Sequence, residues 1–242
     1  MRSGVVMGVA RRVQALGRAL VPVLVLVIVL VHGGAVVAAQ SPARHPVSGR
    51  VIAPVMGVGG APWLERPERE QEEAPSKAIA ALGLTEGMVV ADIGAGSGYY
   101  TVRMARAVGP SGRVYATDIQ PGMLKILESR VKAEQLDNVV PVAGAIDDPR
   151  LPAKAIDLAL MVDVYHELSQ PQVFVRRLRD ALKPGGRLVL LEFRKEDPTI
   201  PIRPEHKMSV AEVRMEFEPE GFTLAEVIDV LPWQHILVLR PK

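Results

Sequence analysis

Residues 88–98, Met-Val-Val-Ala-Asp-Ile-Gly-Ala-Gly-Ser-Gly, constrain the fold more than any other stretch of this chain. An apolar run from Val89 to Ala91 leads into an acid, Asp92, and glycines then alternate at 94, 96 and 98. A buried strand that breaks into a glycine-rich turn brings backbone close to a ligand, because no Cβ stands in the way.

From Pro75 onward helical and strand patterns alternate. A helix over 76–82 precedes a strand at 88–93, and the helix over 98–108 stops at Gly109-Pro110. Strand two, Arg113 to Thr117, closes on Asp118, and a helix from Pro121 carries Leu124, Leu127 and Val131 on one face. Strands follow at Val139 to Ala143 and at Ile156 to Val162, the latter nearly all apolar, as expected when both sheet faces are covered. A helix over 171–182 ends at Lys183-Pro184-Gly185-Gly186, read as a helix C-cap and tight turn before a strand at Arg187 to Phe193. A polar, proline-rich loop, a helix near 209–218 and two strands near 222–230 and 235–240 complete the chain. The pattern predicts an α/β fold with a doubly wound seven-stranded sheet, mostly parallel, with an antiparallel C-terminal strand.

The 242 residues suit one such domain plus an extension. Arg2, Arg11, Arg12 and Arg18 are the charged residues of the first 39, and beyond them 25 basic residues face 27 acidic ones. A near-neutral domain lacks the electrostatic footprint of a nucleic-acid binder, so no nucleic-acid partner is expected. With no cysteine, disulfides, thiolate metal sites and cysteine nucleophiles are excluded. Ala19 to Val31 is an uninterrupted apolar run, and Val37-Ala38-Ala39 offers small residues before Gln40. Residues 1–39 thus read as a secretory signal peptide, or as an anchor tethering the domain through 19–39, with the domain exported to the periplasm or another extracytoplasmic space. The competing reading starts translation at Met56 and leaves the domain in the cytoplasm. Residues 40–74 are expected to be a flexible linker, with Trp63 to Arg69 either a lid or a solvated charge run, and 75–242 the folded domain.

Asp118 lies 24 residues after Gly94, at the end of strand two. An acid there either accepts from both hydroxyls of a ribose or caps the turn at Gln120-Pro121-Gly122. The Asp-x-Gly-x-Gly-x-Gly loop, Asp118 and Lys183-Pro184-Gly185-Gly186, in this order across 75–193, resemble the class I S-adenosylmethionine-dependent methyltransferases, whose fold is Rossmann-like. Leu190 to Lys195 resembles the fifth-strand exit of their ubiquinone/menaquinone C-methyltransferase group, and Gly96 to Tyr99 is similar to the protein-L-isoaspartate O-methyltransferases. The resemblance implies S-adenosyl-L-methionine as cofactor and a small-molecule acceptor methylated on oxygen or carbon. It places Asp92 beneath the methionine moiety, within reach of its ammonium, and lines the cofactor with Gly94, Ala95, Gly96 and Gly98. Asp118 would hold the ribose, Ile119 and Met123 the adenine face, and Ala145, Ile146 and Asp147 the adenine edge, with Asp163 completing the set. Asp147-Asp148-Pro149 reads equally as an ordinary turn.

The substrate end falls after strand four, at Asp163-Val164-Tyr165-His166-Glu167. His166 there is either a general base or a helix-capping side chain, and Tyr165 is placed to orient the acceptor. His206 and Trp233 either wall that pocket or serve loop and core. Asp163 and Glu192 are the carboxylates available for metal assistance, and no metal is expected. Two further functions compete. One is a nicotinamide-dependent oxidoreductase, whose usual G-x-G-x-x-G spacing is looser than the loop here. The other is a catalytically inactive nucleoside-binding envelope protein.

Overall fold

The structure, a computed structural model, describes residues 42–242. The segment read as a signal or anchor, 1–39, lies outside the described residues. Three short helices come first: α1 (Ala61–Leu64), α2 (Arg69–Glu72) and α3 (Pro75–Ala81). The alternation then runs β1 (Val89–Ile93), α4 (Tyr99–Val108), β2 (Arg113–Asp118), α5 (Pro121–Ala133), β3 (Val139–Ala143), β4 (Ile156–Val162), α6 (Pro171–Ala181) and β5 (Leu182–Arg194). A two-residue strand β6 (Lys207–Met208), α7 (Val210–Phe217), β7 (Phe222–Ile228) and β8 (Gln234–Pro241) close the chain.

The strands form one sheet in the order β3-β2-β1-β4-β5-β8-β7, with β6 added beside β5. Pairings from β3 to β5 are parallel, and β8 runs antiparallel to both β5 and β7. The sheet therefore has the expected class and its seven-strand path, to which the two-residue β6, too short to give a periodicity to read, is added. Alternate residues of each central strand feed opposite faces. Val90, Leu158, Leu160 and Leu191 pack under α3, α4 and α5, whereas Ala91, Ala159, Met161 and Leu190 pack under α6 and α7. This two-sided burial is why the strands read as unbroken apolar runs.

The Lys-Pro-Gly-Gly segment departs from its expected form. It does not make a separate turn: α6 passes straight into β5, and the register jumps from Ile156↔Leu182 to Leu158↔Arg187. Four residues of β5 thus bulge past Asp157, whose Oδ2 accepts from Val89 N–H (2.8 Å) and Lys183 Nζ (2.8 Å). A Cβ at Gly186 would stand 2.8 Å from the Ile156 carbonyl oxygen, so the bulge admits no side chain there.

Residues 42–74 also differ from expectation, being packed onto the domain instead of forming a tether. Arg44 and Val51 make an antiparallel bridge, and Ala53 N–H donates to the His166 carbonyl (3.0 Å). Buried Arg50 donates from Nε and Nη2 to the two oxygens of Glu216 on α7 (2.8 and 3.1 Å), and from Nη1 to the His166 carbonyl (3.0 Å). Ser48 and His45 reach the same carboxylate. A buried ion pair adds little net stability when intact, but removing one partner strands the other charge, at a cost of about 3–5 kcal/mol. Arg50→Ala and Glu216→Ala should each lower the unfolding free energy of the full chain by roughly that amount, measured by urea denaturation. The double variant Arg50→Met/Glu216→Leu should lose less than the sum.

Candidate cofactor and substrate site

β1 lies between β2 and β4, and the connections that follow β1 and β3 cover opposite faces of the sheet. The loops leaving β1 and β4 therefore part, and a crevice opens beyond their carboxyl ends. A cavity of about 560 Å³ occupies it, within the usual range for small-molecule sites. Its floor and sides come from Gly94, Gly96, Asp118, Ile119, Met123, Ala145, Ile146 and Asp163, eight of the twelve expected cofactor residues.

The loop after β1 is held by its neighbours. Ala95 N–H donates to the Thr117 carbonyl (2.9 Å), and Gly96 N–H donates to Asp118 Oδ2 (2.9 Å). Gln120 N–H donates to Asp118 Oδ1 (2.8 Å), so the aspartate caps its turn and braces the glycine loop together. Each oxygen keeps a lone pair for a further donor, so the turn-cap and ribose readings are compatible. Burial raises the Asp118 carboxyl above its ordinary range, opposed by these N–H donors. Gly94 adopts φ +67°, and a Cβ there would lie 2.6 Å from Val164 Cγ2. Ile119 and Ile146, both about half exposed, and Met123 supply apolar surface for a flat heterocycle.

Asp163 stands at the end of β4 in the left-handed region (φ +54°), which Asp tolerates better than most side chains. Its Oδ2 accepts from Gln234 Nε2 (2.8 Å), while its buried Oδ1 has no partner. Burial, then the Glu73 charge, raises its carboxyl well above the ordinary range. A cationic group in the cavity would relieve both conditions. Ribose hydroxyls, a flat base and an ammonium thus each meet a suitable wall, and this set of acceptors and apolar surface fits S-adenosylmethionine.

The other four expected contacts lie off the cavity wall. Asp92 is buried behind the loop and accepts from Thr101 Oγ1 (2.5 Å), with its carboxyl pushed up to about 6 chiefly by burial. Ala95 faces the core under α4. Gly98 adopts φ +84° before α4, and its missing Cβ makes room for Leu127 Cδ1, 2.6 Å away. Asp147 turns outward to Arg177 (3.3 Å).

The substrate end also needs correction. Residues Tyr165 to Glu167 form one 3-10 turn, which points successive side chains in different directions. Tyr165 is packed on Phe217 (ring centroids 4.4 Å) and does not reach the cavity, so it cannot orient an acceptor. His166 is likewise buried behind the wall. Its Nδ1 meets Glu192 Oε2 (2.6 Å) and its Nε2 meets His206 Nδ1 (3.1 Å). The residue that does line the cavity is Glu167, whose carboxyl is pushed up to about 7 by burial. Trp233 packs near Phe193, away from the cavity. Among the described residues one group, His166, Glu167 and His206, has the composition of a metal-binding cluster.

The roof comes from the segment expected to be a linker. Ile52, Ala53, Pro54, Val55 and Met56 cover one end, with Trp63, Leu64 and Arg69 beside them. Arg66 lies 3.7 Å from the Trp63 ring centre and pairs with Glu72 (2.7 Å) and Glu73 (2.5 Å). Arg69 donates to Glu73 (2.6 Å) and to the Leu64 carbonyl (2.9 Å). Arg66, Arg69, Glu72 and Glu73 thus pair with one another, while Glu65 pairs with Arg130 on α5. Nothing in the periodicity of 42–56 announced this roof, and Glu167 was hidden by its neighbour His166.

Residues 90–186 match the methyltransferase domain family. A structure of an S-adenosylmethionine-dependent methyltransferase from Aquifex aeolicus is 29% identical, with a TM-score of 0.72, covering 76% of this chain and 98% of that one. A type 11 methyltransferase structure from Sulfolobus solfataricus, 22% identical with a TM-score of 0.57, covers 70% of this chain and 93% of that one and shares the fold. Among curated proteins, the ubiquinone/menaquinone biosynthesis C-methyltransferase of Hahella chejuensis is 32% identical over 121 residues, 50% of this chain and 48% of that protein. The demethylmenaquinone methyltransferase of a Geobacillus strain is 30% identical over 111 residues, 46% of this chain and 47% of that protein. The chain spans about half the length of these curated relatives. It is similar to the class I S-adenosylmethionine-dependent methyltransferases, whose cofactor is S-adenosyl-L-methionine. Within that class it is similar to the ubiquinone/menaquinone C-methyltransferase group.

The placement of Asp92 has a consequence for stability. Its carboxyl titrates near 3.8 when unfolded and near 6 when folded, so the native state binds the extra proton between these values. The stability that Asp92 contributes is lost as pH rises from about 4 to about 6, a loss of about 2–3 kcal/mol. Asp92→Asn, which can still accept from Thr101, should be more stable than the parent above pH 6. That advantage should vanish by pH 4 in chemical unfolding at a series of pH values.

Proposed function

We propose that this protein transfers a methyl group from S-adenosylmethionine to a small, largely apolar acceptor. The observation that carries this reading is the single cavity wall in which Asp118, Asp163 and the apolar pair Ile119 and Ile146 meet beside the glycine loop. Bound S-adenosylmethionine supplies a methyl carried on a sulfonium, a good leaving group. Asp118 would hold the ribose hydroxyls and Asp163 Oδ1 the ammonium, fixing the methyl's direction. Ile52, Ala53, Pro54, Val55, Leu168 and Phe174 line the acceptor end, where apolar side chains favour an aromatic or quinone-like ring. The roof made by 52–64 limits water at the reacting centre. Similarity to the quinone C-methyltransferases supports the ring-shaped acceptor.

We further infer export or membrane tethering from the arginine-bearing, acid-free residues 1–18 and the apolar run that follows them. Among the described residues no helix is long and apolar enough to cross a membrane.

Calorimetric titration of the full chain with S-adenosylmethionine, S-adenosylhomocysteine and NAD tests the reading. It predicts micromolar binding of the first two and none of NAD. Asp118→Ala should weaken S-adenosylhomocysteine roughly ten- to a hundredfold, the range for a lost hydrogen bond to a charged group. Preference for NAD, or unchanged affinity in Asp118→Ala, would overturn it.

A further inference from the structure

Glu167 faces the acceptor end of the cavity, and behind it lie two imidazoles that the methyl-transfer reading leaves without a task. His166 comes from the exit of β4, and His206 from the turn just before β6, which β6 fixes by pairing with Phe193 and Arg194 of β5. Their facing nitrogens, Nε2 of His166 and Nδ1 of His206, are 3.1 Å apart, with ring planes at 84°. Two imidazoles bound to one tetrahedral Zn²⁺ at 2.0–2.1 Å place their nitrogens about 3.3 Å apart. A carboxylate oxygen of Glu167 lies within 4.8 Å of both nitrogens.

The tautomer of His166 is set from behind. Glu192 is fully buried and its Oε2 lies 2.6 Å from His166 Nδ1. An ionised carboxylate can only accept, so Nδ1 carries the proton and Nε2 presents a lone pair toward His206. This is the arrangement in which a carboxylate orients and enriches a metal-binding histidine. The other oxygen of Glu192 is buried without a partner, leaving negative charge around the two rings that a cation would offset. The turn itself is rigidly seated, because the His166 carbonyl accepts from both Ala53 N–H and Arg50 Nη1.

We propose that His166, His206 and Glu167 bind a first-row divalent cation, Zn²⁺ foremost, with an open coordination position facing the cavity. Two imidazoles and one carboxylate are a donor set that leaves such a position in catalytic metal sites. Resting on the methyl-transfer reading, the open position would hold an acceptor oxygen. Polarisation by the cation favours release of that oxygen's proton to solvent and its retention as an anion. His206 must bind in its Nε2–H tautomer, so the hydrogen bond between the two rings gives way to two metal bonds.

The test uses the full chain stripped of metal with a chelator, titrated with Co²⁺ and then with Zn²⁺ in the absence of any cofactor. One Co²⁺ per chain should bind and develop the visible absorption of a low-coordinate site, and Zn²⁺ should displace it. His206→Ala, at a half-exposed turn, should abolish the spectrum with the circular dichroism unchanged. Glu192→Gln should weaken binding about 10–100-fold. S-adenosylhomocysteine affinity is measured on the same samples. Intact affinity without Co²⁺ uptake overturns the cation site alone, and Co²⁺ uptake without S-adenosylhomocysteine affinity overturns the methyl-transfer reading alone. Equal Co²⁺ binding by the parent, His206→Ala and Glu192→Gln also overturns the cation site.

Discussion

The bond between Gly96 N–H and Asp118 Oδ2 ties the glycine loop after β1 to the end of β2, and the site is built around that tie. It fixes the loop at the place where strand order reverses and the covering helices diverge. The same carboxylate receives Gln120 N–H, so one side chain sets the loop, the start of α5 and the binding wall together. Gly94 can approach Val164 as closely as it does only while this loop keeps its path. The neighbouring strand contributes Asp163, which lines the same cavity and whose buried Oδ1 has no partner.

The second constraint is the Arg50–Glu216 pair, which joins the first described residues to α7. It converts a stretch rich in proline and glycine into the roof of the cavity. The His166 carbonyl receives both Arg50 and Ala53, so the pair also fixes the turn that presents Glu167. Roof, acceptor wall and histidine cluster therefore depend on one buried ion pair. Its loss should be felt in the site as well as in stability.

Most of the sheet was legible because buried parallel strands leave an unmistakable apolar record and glycine can mark a close approach. β1, β3, β4 and the antiparallel end of the sheet follow from these patterns, and Asp118 stands out by its place at the end of strand two; Asp163, Ile119 and Met123 are expected only through the family resemblance. What escaped depends on partners far away in sequence. Arg50 meets Glu216 across 166 positions, and neither residue signals the other. Lys183 to Gly186 reads as a turn but is a bulge, because the decisive contact is with the Ile156 carbonyl on another strand. His166 and Glu167 differ by one step of a 3-10 turn, and that step decides which of them meets the cavity. His206 could not be paired with His166 before β6 was known to lie against β5.

Hydrogen–deuterium exchange of the full chain, with and without saturating S-adenosylhomocysteine, bears most directly on the claim that the glycine loop and the N-terminal segment enclose one nucleoside site. The account predicts added protection of backbone amides in 94–98, 119–123 and 144–146, accompanied by protection in 52–56 and 63–66. Protection confined to the loops after β1, β2 and β3, with 52–66 unchanged, would contradict the roof. Protection absent from 94–98 would contradict the site itself.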